Sequence, residues 1–145
     1  DEAANEKVVV PEPVKQLISN ITEPLVKAML MVNEAPLADT ISGSSGYAEW
    51  FTSQGPHDQQ NRSLRDLDLQ TRLFRYPLSY LIYSNAFNKL PVLARQYVYE
   101  RLVAILNDKD KSEEYRHLST DDRSAILSIL HETKPEFAAL TAKKE

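Results

Sequence analysis

The densest apolar pattern in the chain follows Tyr76-Pro77. Aromatic side chains recur there at helical spacing, and at about 100° per residue they share one face: Tyr76, Tyr80, Tyr83 and Phe87. The opposite face carries aliphatic side chains: Leu78, Leu81 and Ile82. A helix that is apolar on two opposed faces is usually buried between two layers. The pattern therefore predicts a central helix in which Tyr80, Tyr83 and Leu81 are buried.

The N-terminal half of the chain predicts two further helical regions. Apolar residues recur with a helical period from Val14 to Val32, interrupted by Pro24. Because proline costs little in a first turn and ~3 kcal/mol in an interior, a second helix capped by Thr22 is favoured over a kink. A short helix is expected from Tyr47 to Ser53. Its two large aromatic residues, Trp50 and Phe51, cannot hold so short a helix alone, so at least one should dock on the central helix.

The segment 64–74 is ambiguous, because its apolar residues fit a helix at one spacing and a strand at another. A single strand without a partner is a poor arrangement, so a helix is predicted, with Asp68 and Arg72 paired at i, i+4. The C-terminal half predicts a strong helix that follows Pro91 and runs to about Asn107, and a short turn at Glu113–His117. A final helix is expected after Ser119, ended by Pro135.

These elements predict an all-α fold, an irregular bundle of about five to seven helices around the central aromatic-rich helix. Residues 1–13 are expected to form an arm, flexible or docked. Residues 14–137 would form the single helical domain and residues 138–145 a tail. The uneven helix lengths and two long loops argue against four matched helices.

Composition narrows the function classes. The 145 residues contain no cysteine, which excludes disulfides, thiol catalysis and thiolate metal sites. A net charge of −4 argues against nucleic acid as a general partner. No apolar run is long enough for a membrane span, so no membrane insertion is expected. The acidic start at Asp1–Lys7 fits a mature end left by a signal peptide, or a boundary within a longer protein.

Candidate binding chemistry is concentrated between residues 57 and 76. Four arginines form the one local basic cluster: Arg62, Arg65, Arg72 and Arg75. Near Tyr76 they could hold a small anionic ligand or a partner carboxylate by bidentate pairing. The alternative is a web of ion pairs with nearby aspartates that locks a loop onto the core. His57-Asp58, in a Gly-Pro turn, could form a base with its orienting carboxylate, or a plain Asx turn.

The candidate binding residues are therefore His57, Asp58, Arg72, Arg75 and Tyr76, with no catalytic residue assigned. No metal site is expected, because no histidine pair has the spacing that places two imidazoles on one helix face. No cofactor is expected either, although non-covalent haem held by one histidine stays open. The chain carries neither a nucleophile elbow nor a glycine-rich phosphate loop.

Several blocks of the chain resemble a group of uncharacterised exported bacterial proteins. The blocks are Ser45–Glu49, Arg62–Asp66, Thr71–Phe74, Tyr76–Ser84, Leu90-Pro91, Tyr97–Tyr99 and Asp122-Arg123. The similarity covers roughly residues 34–136, which in that group form the C-terminal part of a longer chain. The resemblance implies a bacterial, periplasmic or secreted protein, and it carries no activity with it.

The sequence thus predicts a non-catalytic binding or protein-interaction module. The alternative is an enzyme or redox accessory domain with a site near His57, Arg72 and Tyr76. Two loops, Ile41–Gly46 and Gln54–Arg62, are expected to converge and wall one concave surface that contains His57 or Asp58.

Overall fold

The computed structural model describes residues 9–35, 37 and 46–142. The α-helices in these ranges are α1 (Glu12–Met29), α2 (Tyr47–Ser53), α3 (Asn85–Asn88), α4 (Val92–Leu106), α5 (Thr120–Thr133) and α6 (Pro135–Ala142). Tyr80–Tyr83 and Glu113–Tyr115 form 3₁₀ helices. No strand forms in the described ranges. The predicted all-α irregular bundle of five to seven helices is confirmed.

Helix α4 is the element on which α1, α5 and α6 all pack. Arg101 of α4 donates to the carboxylate of Glu23 in α1, at 3.0 and 3.1 Å. Arg95 of α4 pairs with Glu136 of α6 at 2.8 Å. The fully buried side chains between these helices are Val26, Leu30, Val98, Tyr99, Leu102, Ile105, Ile126, Ile129, Leu130 and Phe137. One continuous core therefore holds both halves of the chain.

Several helix boundaries agree with the sequence predictions. Helix α2 covers the predicted residues, and α4 differs from its prediction by one residue at the C-terminal end. The hydroxyl of Ser119 accepts from the backbone N–H of Asp122, which is the predicted N-cap of α5. The ring of Phe51 lies 5.5 Å from that of Tyr80, edge to face. The docking expected for α2 on the central segment is thus confirmed.

The central segment, residues 76–88, is not the continuous helix that was predicted. The 3₁₀ helix is followed by Ser84 in an extended conformation and then by the single turn α3. Ser79 and Ser84 cause the break, because each accepts a backbone N–H from the turn after it and so acts as an N-cap. The break changes the direction in which successive side chains point. As a result Leu78 and Ile82 are buried, while Leu81 is 55% exposed. The prediction that Leu81 is a core residue was wrong.

Helix α1 runs through Pro24 without a restart, contrary to the preferred prediction. Pro24 and Asn20 both lie on the exposed side, so water can satisfy the Asn20 carbonyl that loses its helical partner. Thr22 does not cap a second helix. Its hydroxyl donates to the carbonyl of Ile18, one turn earlier in the same helix.

The helix predicted for residues 64–74 is also absent. The chain forms a tight antiparallel turn with an isolated bridge between Leu67 and Phe74. Asp68 explains this difference, because its carboxylate accepts from the backbone N–H groups of Gln70 and Thr71. Such an Asx turn competes directly with helix formation.

Part of the segment that was assigned to a C-terminal tail is helical. Pro135 ends α5 but also begins α6, since proline fits a first helical turn. Residues 138–142 continue that helix, and Leu140 packs against the core. Helix α1 begins at Glu12, inside the predicted arm. The first eight residues of that arm lie outside the described ranges.

Lys134, between α5 and α6, compensates for the break in the central segment. Its ammonium group donates to the carbonyl of Ile82 at 2.8 Å and to the Asn88 side chain at 2.7 Å. It also lies 5.3 Å from the ring centre of Phe87. Lys134 is 6% exposed, and burial lowers its pKa. The lysine therefore satisfies a buried carbonyl that a continuous helix would have paired internally.

Two alanine substitutions distinguish the observed central segment from a continuous helix. Ile82→Ala should lower the free energy of unfolding by about 2–5 kcal/mol, because Ile82 is fully buried. Leu81→Ala should change it by less than about 0.5 kcal/mol, because Leu81 is largely exposed. Urea unfolding of both variants measures the difference. A large loss of stability in Leu81→Ala would show that Leu81 faces the core, as it would in a continuous helix.

Replacement of Lys134 by methionine keeps a long unbranched side chain but removes the donor to Ile82. The expected cost is about 1–3 kcal/mol at neutral pH. The pKa of Lys134 is lower in the folded protein than in the unfolded chain. At alkaline pH the folded protein therefore loses this proton first, and the unfolded chain binds more protons than the folded protein does. Wild-type stability relative to Lys134→Met should therefore rise with pH in this alkaline range. Urea unfolding at several pH values measures it, with exposed Lys89→Met as control. The same pH dependence of stability in the wild type and in Lys134→Met would contradict this expectation.

Candidate functional site

Asp58 folds the loop that follows α2. Its carboxylate accepts from the backbone N–H groups of Gln60 and Arg62, at 2.9 and 2.8 Å, and from the guanidinium of Arg62 at 2.7 Å. Burial opposes ionisation of Asp58, but the hydrogen bonds from Arg62 and Gln60 hold its pKa below the usual value. The side chain is fully buried. Asp58 therefore orders the loop and presents no carboxylate to a ligand.

Asp122 joins this part of the chain to α5. Its two carboxylate oxygens accept from Arg72 and from Arg75, each at 2.8 Å. Burial of Asp122 would raise its pKa, but the bonds from the two arginines hold the pKa below the usual value. Arg72 also donates to the backbone carbonyl of Arg75. The arginines thus form the loop-locking web that the sequence left as one alternative, with Asp122 rather than Asp68 as its centre.

Tyr76 lies behind this ion-pair cluster. The guanidinium of Arg75 lies 4.8 Å from the centre of its ring. The residue is only 7% exposed, and burial raises the pKa of the phenol. Tyr76 thus packs in the core and supports Arg75 by a cation–π contact.

The five predicted site residues do not line one pocket. His57 and Arg75 line an open cleft of about 730 Å³ together with Glu49, Asn61 and Asp66. Arg72 lines a different cleft of about 530 Å³ beside Phe74 and His117. Helix α2 and the 54–62 loop both contribute to the cleft at His57, while the predicted convergence of two loops there stays a prediction. Of its other predicted wall, Ile41–Gly46, only Gly46 lies within the described residues.

Sequence reasoning missed a third cleft, between the α2–loop junction and the 3₁₀ helix Tyr80–Tyr83. It has a volume of about 260 Å³ and is lined by Gln54, Gly55, Pro56, Arg65, Tyr80, Leu81, Tyr83 and Ser84. The guanidinium carbon of Arg65 lies 4.6 Å from the ring centre of Phe51 and 4.5 Å from that of Tyr80. Gly55 is the one sign of this cleft in the sequence. The structure explains the glycine, because a Cβ at this position would lie 2.8 Å from Cδ of Arg65.

The histidines have separate environments. His117 makes a 2.7 Å hydrogen bond with the carbonyl of Leu30, and His131 packs edge to face on Phe137. Within the described ranges, no group of three His, Asp or Glu side chains is arranged to hold a metal ion. None of the helices in those ranges is long and apolar enough to cross a membrane. The enzyme or redox alternative near His57 stays a prediction that these contacts do not test.

Comparison of the chain with protein-family models, with curated proteins and with solved structures finds no match in any of the three.

Replacement of Asp122 by asparagine tests the ion-pair cluster. The expected cost at pH 7 is about 1–3 kcal/mol, because two charge-assisted hydrogen bonds are weakened. The folded pKa of Asp122 is depressed, so the unfolded state binds more protons below about pH 4 and stability falls as the pH falls. Asp122→Asn should show a shallower acid loss than the wild type. Urea midpoints between pH 7 and pH 2.5 measure it, with exposed Asp121→Asn as the neighbouring control. An equal loss of stability with falling pH in the wild type and in Asp122→Asn would exclude this role of Asp122.

Proposed function

We propose that the protein is a non-catalytic protein-interaction module of an exported bacterial protein. The observation that carries this proposal is a continuous apolar surface along α1 and the adjoining groove. Monomeric proteins rarely expose large contiguous apolar patches, and those that occur often mark contacts with other proteins. The resemblance to exported bacterial proteins supports the compartment.

Helix α1 is apolar on more of its circumference than its own fold buries. Thr22, Val26 and Met29 are buried on the side that faces the core. Val14, Leu17 and Ile21 recur at helical spacing on another side, where Leu17 is 58% and Ile21 is 66% exposed. Scattered exposed apolar residues are ordinary, but a row on one helix face is typical of a contact surface.

The row continues into a groove between α1 and the central segment. The groove has a volume of about 320 Å³ and is lined by Leu25, Ala28, Met29, Ser79, Leu81, Ser84, Ala86, Phe87 and Leu90. None of these residues is charged. The exposed row and the groove together form the surface that we call the α1 face. Apolar side chains of a partner would be removed from water here, which is the main driving force of most protein association.

The α1 face gives no support to a catalytic function. Its lining supplies apolar contacts and two serine hydroxyls, and both hydroxyls already accept backbone hydrogen bonds as caps. General acid–base catalysis needs a titratable side chain positioned beside the substrate. Binding is therefore the chemistry that this surface favours.

A charge placed on the α1 face should abolish partner binding and leave the fold intact. Ile21→Lys alters a largely exposed position, so the free energy of unfolding should change by less than about 0.5 kcal/mol. Wild-type and variant baits are compared on the envelope or secreted fraction of the native host. A partner retained by the wild type is identified, purified and titrated against both proteins. We expect at least a tenfold weaker Kd for Ile21→Lys, since a buried unpaired charge is costly.

Leu73→Lys provides the control, because it places the same charge at an exposed apolar position outside the α1 face. It should bind the purified partner as the wild type does. Equal loss in both variants would indicate a nonspecific charge effect. Unchanged binding in Ile21→Lys would show that the α1 face is not the contact surface.

A further inference from the structure

The geometry points to Arg65 as a carboxylate-binding residue for a protein segment that crosses from the α1 face into the neighbouring cleft. This inference rests on the proposed function and specifies the chemistry of the partner. The segment carries apolar side chains that enter the groove beside α1. An acidic side chain close to them in sequence pairs with Arg65.

In the part of the chain that the structure describes, Arg65 is the arginine of the basic cluster that has no acidic partner. Arg62 is paired with Asp58, and Arg72 and Arg75 are paired with Asp122. Among the described residues, no carboxylate lies within 4 Å of the Arg65 guanidinium. Its guanidinium donates a long hydrogen bond, 3.4 Å, to the carbonyl of Phe51. Most of its donor capacity is therefore available to a ligand.

The guanidinium of Arg65 is held in place before any ligand arrives. The rings of Phe51 and Tyr80 contact it at 4.6 and 4.5 Å. Gly55 permits this position, because any larger residue would place a Cβ against the arginine stem. An arginine that is already ordered loses less conformational freedom on binding, so its pairing with a carboxylate is stronger.

The cleft around Arg65 is complementary in charge to a carboxylate. Arg65 is the charged residue among those that line it, and none of the lining residues is acidic. The side-chain amide of Gln54 lies at its edge and donates to the carbonyl of Trp50 and the hydroxyl of Ser53, which leaves Arg65 as the donor for a ligand. A planar guanidinium is suited to a carboxylate, which accepts two hydrogen bonds in one plane.

Leu81 and Ser84 connect this cleft to the groove of the α1 face, because both residues line both cavities. A peptide that lies across Leu81 can therefore place apolar side chains on one side and a carboxylate on the other. A free anion would use only the Arg65 cleft. The continuity of the two cavities is what favours a protein segment as the occupant.

Capped synthetic peptides provide the probe. Each contains two leucines, a spacer of one to three glycines and an aspartate, and each is matched by a peptide with asparagine in place of the aspartate. Binding to the ¹⁵N-labelled protein is followed by NMR titration. We expect saturable shifts at Arg65, Tyr80 and Leu81, and a Kd for the best aspartate peptide about three- to tenfold tighter than for its asparagine match, as for a partly exposed ion pair.

Arg65→Gln should abolish the difference between the aspartate and asparagine peptides. Gly55→Ala, which displaces Arg65 without removing its charge, should reduce that difference. Arg116→Gln is the matched control, because Arg116 is exposed, pairs with Glu113 and lies outside both cavities. It should retain the difference. The aspartate–asparagine comparison on wild-type protein stands even if a variant fails to fold.

Equal binding of the two peptides at the groove would overturn the role of Arg65 and leave the proposed function standing. The same follows if no peptide produces saturable shifts at Arg65 while Ile21→Lys still loses its partner. If sodium acetate alone gave the full Arg65 response at the same concentration, the occupant would be a small anion and the assignment to a protein segment would be wrong. If Arg116→Gln also lost the difference between the aspartate and asparagine peptides, that difference would depend on the net charge of the protein and not on Arg65.

Discussion

The hydrogen bond from Lys134 to the carbonyl of Ile82 is the contact on which the arrangement of the bundle depends. The two serine caps divide the central segment into two short turns, and this division leaves a buried carbonyl without a helical partner. Lys134 can reach that carbonyl because α5 has ended one residue earlier, in a backbone conformation of φ −125° and ψ 87°. The same ammonium binds Asn88 at the end of α3. One buried charge therefore fixes the central segment, the end of α5 and the start of α6 relative to each other, in an environment where an unsatisfied polar group is costly.

The division of the central segment also creates the exposed surfaces. A continuous helix would have carried Leu81 toward the core with the other aliphatic residues of its face. The 3₁₀ turn instead directs Leu81 outward, where it forms the boundary between the apolar groove and the cleft at Arg65. The buried lysine and the exposed leucine are thus two results of the same change in backbone phase. Stability and recognition are set by the same few residues.

Much of the local structure was predictable, because its causes lie close together in sequence. The bounds of α2 and α4 and the Ser119 cap follow from periodicity and capping chemistry. Two of the errors occurred where polar side chains compete with the backbone: Ser84 interrupts a helix, and Asp68 turns a predicted helix into a tight turn. Periodicity also could not distinguish the buried side of α1 from its exposed apolar row. The pairing of Asp122 with Arg72 depends on a separation of 50 residues, for which no local pattern exists.

The ion pairs at Asp122 have a consequence for the order in which the molecule opens and closes. They connect α5 to the turn at residues 64–75 across separations of 47 and 50 residues, whereas the packing of α5 and α6 links neighbours in sequence. Contacts across long separations require closure of a large loop, and they form after local ones at a cost in chain entropy. We therefore expect the turn beyond the buried Leu64 to open before α4, α5 and α6 separate. Its amide hydrogens would exchange with solvent through this local opening, at a lower free energy than those of α4, and acid would lower that free energy further.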